Sequence, residues 1–562
     1  MEMVPIYTNE KIIHSEERDA MQGLMQEWPL LLHKIIDHAA RQHGSREVVT
    51  RSVAGPITRT TYGAIRQRTL RIAKMLAKND IKLGDRVATL AWNTDRHLEV
   101  WYGICGLGAI SHTINPRLFP EQIAWIVNHA EDRLMFLDTT FVPLMEKLAA
   151  HVPTIERYVV LTDAANMPQT SLRNAVAYEE WLKEADEDFV WPEFDERTAA
   201  GLCYTSGTTG NPKGVLYSHR SNTLHAMTAT SSDGLMIDYR DSVLPIVPLF
   251  HANAWGLAHA APMRGAKLVM PGPKLDGASV YELLEAENVT MTAGVPTVWM
   301  MLLDHLRRNN LKFSTLQRLG VGGSAFPEAL IREFEENYGV DVRHAWGMTE
   351  MSPVGSTGTI KTTLGELTHD QTMALKAKQG WALYGIEMKI TDDEGRKKPW
   401  DGHAFGRLKV RGFATASAYF RGDGGNILDD EGFFDTGDVA TIDPHGYMQI
   451  TDRAKDVIKS GGEWISSVDL ENIAVGHPDI AEAAVIGVAH PKWDERPLLI
   501  VVPKEGKVPQ REDVIEFLRA RTAKFWVPDD MQLISEIPHT ATGKINKLKL
   551  REIFKDYKLP EA

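Results

Sequence analysis

Short apolar runs separated by amphipathic stretches fill the first part of the chain. GDRVATLAW (84–92), GAISHTINP (108–116), DRLMFLD (132–138) and ERYVVLTD (156–163) are nearly continuous in apolar character, as strands covered on both faces are. The runs lie between amphipathic stretches such as 62–79, in which apolar residues recur at helical spacing. That alternation predicts an α/β fold with largely parallel sheets. The texture changes over 405–451, where GRLKVRG, GFFDTGDVATID and GYMQITDR read as short, turn-bounded strands in antiparallel pairing. DRAKDVIKSGG (452–462) is polar and ends in glycine, and a fresh α+β pattern follows it. That pattern comprises a helix near 466–476, the strands AAVIGVAH and LLIVVP, a helix near 510–523 and a lysine-rich tail. The expected organisation is a large domain over 1–451, a hinge at 452–457 and a small domain over 458–562.

A chain of 562 residues exceeds what one hydrophobic core organises, which agrees with at least two domains. The formal net charge of −13 offers no basic footprint for a nucleic-acid backbone, so any anionic ligand must be met by local cations or backbone amides. Two cysteines, Cys105 and Cys203, sit in apolar runs, which excludes a disulfide framework or a cysteine zinc site and suits a reducing cytoplasm. No run of about 18 uncharged apolar residues occurs, so no spanning helix is expected. The first 30 residues lack the apolar core of a signal peptide, and the terminal LPEA is not a peroxisomal address.

The strongest chemical signal is YTSGTTGNPKGV (204–215), directly after the apolar AAGLC. Serine, threonine and glycine at that density make a loop whose amides and hydroxyls can surround phosphate oxygens, and Lys213 adds charge. Gly214 follows the lysine, so this is not the common P-loop, which needs serine or threonine there to reach magnesium. The bland alternative is a flexible glycine-rich surface turn.

This segment resembles the first core motif of the adenylate-forming superfamily, which includes acyl-CoA synthetases, luciferases and the adenylation domains of peptide synthetases. The resemblance continues in order through PLFHANAW (248–255), GGSAFP (322–327), AWGMTE (345–350), FFDTGDVA (433–440), DRAKDVIKSGGEWIS (452–466) and PHTATGKINK (538–547). It implies a large N-terminal domain of mixed and parallel sheets packed with helices, with a small antiparallel barrel-like part. A small mobile α+β C-terminal domain follows. It also implies ATP, Mg2+ and coenzyme A as cosubstrates and cofactor, and it allows a homodimer.

Carried onto this sequence, the family pattern makes Thr205, Ser206, Gly207, Thr208, Thr209 and Lys213 the pyrophosphate loop. Thr205 and Glu350 would reach the metal, whose preference is for oxygen donors, and Thr349 would bond the α-phosphate. Gly323, Ser324 and Ala325 would form one side of the adenine slot, with Trp346, Gly347 and Met348 on the other. The family most often has tyrosine where Trp346 stands, so stacking survives while a phenol hydrogen bond is lost. Asp438 matches the ribose carboxylate and Arg453 the ribose and phosphate contact; both could equally be structural ion-pair partners. A carboxylic acid with a pKa of about 4 is already ionised at neutral pH. Charge neutralisation and alignment, rather than a general base, should therefore govern its attack on ATP. Lys544 matches the lysine that bridges the two anions, although a lysine in a basic tail is often solvated surface. Lys455 matches the pivot about which the small domain turns, after which GGEWIS (461–466) would line the pantetheine tunnel, with Gly461 and Gly462 permitting close approach and Lys459 facing the site as a catalytic residue.

On the acyl side, His251 and Trp255 match the carboxylate-side histidine and gate tryptophan of bacterial long-chain fatty acyl-CoA synthetases, and Val247 and Gly322 would line the pocket. The expected activity is AMP-forming acyl-CoA ligation of a medium- or long-chain fatty acid. Alternatives are a ligase for a methylthio or aromatic acid, a luciferase, a carrier-protein adenylation module, or a degenerate nucleotide-binding protein. The presence together of Lys213, Glu350, Asp438 and Lys544 counts against the last.

Overall fold

The computed structural model describes residues 23–205, 211–460, 463–540 and 544–560. Within them the strands form four sheets of seven, nine, four and five strands. The four apolar runs noted above become strands Arg86–Leu90, Ile110–Thr113, Leu134–Leu137 and Arg157–Val160 of the seven-stranded sheet, paired in parallel. Both faces are packed. Leu90, Leu137 and Val160 join one apolar cluster, while Val87, Phe136 and Val159 join another with Ile72, Met75 and Leu76 of helix Tyr62–Lys78. Double-sided burial explains why these runs lack polar alternation. The helix begins at Thr61, whose hydroxyl accepts from the Ala64 amide at 3.3 Å.

The nine-stranded sheet follows the same rule. Val243 and Leu268 point to the cluster containing Trp101 and Tyr102, while the adjacent Leu244 and Val269 point to helices Gly277–Ala286 and Pro296–Asn309. Its strands Met291–Gly294, Arg318–Val321 and Asp341–Gly347 are neighbours in parallel, so their carboxyl ends open on the same edge. Ligands of open parallel sheets bind beyond such ends.

The antiparallel texture of 405–451 is realised in a four-stranded sheet containing Gly406–Gly412, Phe434–Ile442 and Met448–Arg453. Residues 452–457 begin with the last two positions of that sheet, Asp452 and Arg453, paired with Val439 and Asp438. Beyond them a five-stranded sheet with helices Ser467–Val475, Arg511–Arg519 and Lys547–Ile553 has its own apolar clusters, around Val485 and Leu499 on one face and Ile486 and Ile500 on the other. Cys105 and Cys203 are both free and buried. Among the described residues no helix is long and apolar enough to cross a membrane.

Candidate active site

The phosphate-type segment connects strands Ala199–Tyr204 and Gly214–Ser218, which are antiparallel neighbours. It is therefore a hairpin connection rather than the strand-to-helix turn of the common P-loop. Its neck is closed by the Thr205 amide donating to the Lys213 carbonyl at 2.9 Å and by the Lys213 amide reaching the Thr205 hydroxyl at 3.4 Å. Ser206, Gly207, Thr208 and Thr209 lie outside the described residues, as do Gly461 and Gly462. Lys213 forms no ion pair with a described residue; its ammonium lies over the Tyr419 ring, 4.9 Å from the centroid.

A cleft of about 250 Å³ opens beyond the parallel strand ends and is lined by Gly323, Ser324, Ala325, Trp346, Gly347, Met348, Asp438, Arg453 and Lys544. Gly323 follows strand Arg318–Val321 at φ +86°, a conformation that disfavours a side chain. A Cβ at Gly347 would stand 2.0 Å from the Pro353 carbonyl oxygen, so only glycine fits there. Trp346 is buried and its indole N–H donates to Asp438 Oδ2 at 2.9 Å. The expected loss of a hydrogen bond at this position is thus made good by the indole's own donor. Asp438 Oδ1 meets Arg453 Nε at 3.1 Å, and Arg453 Nη1 donates to the Thr436 carbonyl at 3.0 Å. Each Asp438 oxygen keeps a second lone pair for an incoming hydroxyl.

Lys544 comes into this cleft from near the carboxyl end, in a turn closed by the Thr540 amide donating to its carbonyl at 2.7 Å. Burial, and then the nearby Arg453 guanidinium, push its ammonium down from 10.5 to about 8, while Asp438 and Glu350 act in the opposite sense. Glu350 lies in the short turn Thr349–Met351 directly after strand Asp341–Gly347 and is buried. Tyr217 Oη donates to the Thr349 carbonyl at 2.7 Å, the Ala416 amide to the Glu350 carbonyl at 2.7 Å, and Tyr419 Oη to Glu350 Oε1 at 2.7 Å. No cluster of three His, Cys, Asp or Glu suited to a metal occurs among the described residues. A nucleotide-bridged Mg2+ needs no such cage, since phosphates and water supply most of its oxygens. The buried Glu350 carboxylate, with one oxygen taken by a phenol and no described cation paired to it, fits that donor role together with the Thr205 hydroxyl.

His251 stands at the start of a turn in which Ala252, Asn253, Ala254 and Trp255 all have positive φ. Burial, with Arg117 and Lys544 nearby, lowers its imidazole to about 3, so it is neutral, and its buried Nε2 has no partner among the described residues. The Trp255 ring lies against Gly322, where a Cβ would be 3.1 Å from Cη2, and packs with Ala345, Val354 and Leu383. Val247 is buried and its carbonyl accepts from Asn93 Nδ2 at 2.9 Å; it does not line the cleft. Lys459 is exposed in strand Ile458–Ser460 and Lys455 is exposed in the preceding turn, and neither is among the residues lining the cleft.

Sequence reasoning missed Tyr217, Ala416 and Tyr419, which hold the Thr349–Glu350 turn. They lie in segments whose pattern reads as ordinary strand or loop, and only the fold brings them together.

A nucleotide-binding enzyme is the class this arrangement of strand ends, hairpin loop and cleft defines. The family model described as AMP-binding enzyme matches residues 36–420, and that described as AMP-binding enzyme C-terminal domain matches 469–544. The chain belongs to the AMP-binding enzyme family. It is 47% identical over 536 residues to a 3-methylmercaptopropionyl-CoA ligase of Ruegeria lacuscaerulensis, covering 95% of this chain and 99% of the relative. It is also 47% identical over 536 residues to a medium-chain-fatty-acid–CoA ligase of Ectopseudomonas oleovorans, covering 95% and 98%. A solved structure of the anthranilate CoA ligase AuaEII in complex with anthranoyl-AMP superposes with a TM-score of 0.83 at 24% identity, covering 93% of this chain and 97% of that one, and so shares the fold.

Proposed function

We propose that the protein is an AMP-forming acyl-CoA ligase acting on a medium- or long-chain fatty acid. The observation that carries this reading is one cleft holding Asp438, Arg453, Trp346 and Lys544, residues drawn from widely separated parts of the chain. Asp438 takes the ribose hydroxyls, Trp346 and the Gly323–Ala325 turn sandwich the adenine, and the hairpin ending in Lys213 holds the departing phosphates.

The first step joins two anions. A carboxylate oxygen of the acid attacks the α-phosphorus, the α–β bridging P–O bond breaks, and pyrophosphate leaves with its electron pair. Lys544 lies between the two partners as a cation, Thr349 donates to the α-phosphate, and the neutral His251 offers its free ring nitrogen on the carboxylate side. Glu350 and Thr205 would hold Mg2+, which would supply charge neutralisation there. In the second step the sulfur of coenzyme A, as thiolate, attacks the acyl carbon, the acyl–oxygen bond breaks and AMP leaves. The small domain, 458–562, turns about Lys455 in the hinge 452–457, withdrawing Lys544 and bringing Lys459, Gly461 and Gly462 to the thioester site.

Equal identity to a 3-methylmercaptopropionyl-CoA ligase and a medium-chain-fatty-acid–CoA ligase leaves a short sulfur-containing acid as the second reading. AMP release with Mg-ATP and acids of rising chain length, plus methylthio and aromatic acids, each with and without coenzyme A, tests both. CoA-dependent AMP and thioester formation with an optimum at medium or long chains is the expected result. An optimum at the methylthio acid selects the second reading, and an adenylate that coenzyme A never discharges defeats the ligase.

A further inference from the structure

Lys213 and Glu350 are opposite charges on the same wall of the site, yet they do not pair with each other. Tyr419 touches both: its hydroxyl donates to Glu350 Oε1 at 2.7 Å, and its ring lies beneath the Lys213 ammonium. An ionised carboxylate can only accept, so the Tyr419 hydroxyl is the donor in this bond. The segment that carries it, between strands Gly406–Gly412 and Phe434–Ile442, is tied down beside the phosphate hairpin. Arg421 pairs with Glu131 at 2.7 Å, Asp423 stands 3.6 Å from His129, and the Phe420 ring meets His129 edge-on at 5.6 Å. At Gly424, which has φ +81°, an added Cβ would stand 2.8 Å from the Lys213 ammonium and 3.8 Å from Tyr419 Cδ2, so this segment also packs closely against the lysine.

We propose that Tyr419 is a positioning residue that keeps these two charges separate and aimed at the nucleotide. It occupies Oε1 of Glu350, leaving Oε2 for the divalent cation, and its π face seats Lys213 for the phosphates. Without it, the lysine and the carboxylate would neutralise each other in a direct ion pair inside the site. The inference rests on the proposed roles of Glu350 with metal and Lys213 with phosphate.

The test uses the full-length wild-type, Tyr419→Phe and Tyr419→Leu proteins with α,β-methylene-ATP, whose α–β bridge does not break, so it cannot adenylate the acid. Mn2+ affinity of the nucleotide complex is read by electron paramagnetic resonance, and nucleotide affinity in EDTA by calorimetry. Tyr419→Phe keeps the ring and should weaken Mn2+ roughly 10-fold or more, the usual effect of losing a partner of a metal ligand. Its metal-free nucleotide affinity should stay near wild type. Tyr419→Leu should weaken both, because the lysine seat goes with the ring. A merely structural tyrosine would lower Tm without separating the two affinities. Wild-type Mn2+ affinity in Tyr419→Phe overturns the proposal. Indifference of the wild-type nucleotide complex to Mn2+ overturns the metal role of Glu350, and this proposal with it.

Discussion

Replacing Lys544 with methionine separates what this side chain does for the reaction from what it costs the fold. Lowering its ammonium from 10.5 to about 8 corresponds to about 3 kcal/mol of penalty on the charged form, at about 1.4 kcal/mol per factor of ten. Solvent reaching a side chain that is only half-buried screens this to about 1–2 kcal/mol. The unfolded chain holds this proton more tightly than the folded one. Stability from this group is therefore lowest below pH 8 and is regained as pH rises from about 8 to 10.5. Lys544→Met should accordingly be more stable than wild type at pH 7 and no more stable at pH 10.5 in urea unfolding. In catalysis the sign reverses. Removing a fixed cation from the developing charge should slow adenylation about 10²–10³-fold, read as carboxylate-dependent exchange of labelled pyrophosphate into ATP. Thioester formation from supplied acyl-adenylate should change only a few-fold. Wild-type adenylation kcat/KM should fall about tenfold per pH unit above about 8, and Lys544→Arg should move that limb out of range. Equal loss of both half-reactions in Lys544→Met, or an alkaline limb unchanged by Lys544→Arg, would refute the reasoning.

Asp438→Asn keeps the side chain's size but loses the charged acceptor of Trp346 and Arg453; the KM for ATP should rise about 10-fold or more, as expected for a charge-assisted bond, with the KM for the acid unchanged in steady-state kinetics. Trp255→Ala removes the ring that lies against Gly322, and kcat/KM across a chain-length series should shift toward longer acids; an unmoved optimum rules out Trp255 as the limit of the acyl pocket. Lys547, buried with Glu471 at 2.8 Å and Asp452 at 4.0 Å, neutralises two carboxylates where helix Ser467–Val475 meets strand Met448–Arg453. Lys547→Met strands those charges and should cost about 3–5 kcal/mol in urea unfolding, whereas Lys547→Met combined with Glu471→Leu should recover part of it.

The sequence by itself determined the periodicities, and those depend on what each residue's near neighbours are. Runs such as LMFL (134–137) and YVVL (158–161) could be placed as doubly covered strands because no polar alternation interrupts them. The ordered motifs likewise pointed to the family, and Asp438, Trp346 and Lys544, carried over with it, line one cleft. Tertiary structure alone decided which charges face each other. By charge pattern Lys544 is indistinguishable from the exposed Lys549 of KINKLKLR, and its lowered ammonium arises from burial and the Arg453 guanidinium, set against Asp438 and Glu350, all from distant segments. Tyr419 carries no local signal, because its partners Lys213 and Glu350 reach it only when the antiparallel sheet packs beside the phosphate hairpin. Desolvation and long-range pairing depend on three-dimensional proximity, and no spacing along a chain encodes that directly.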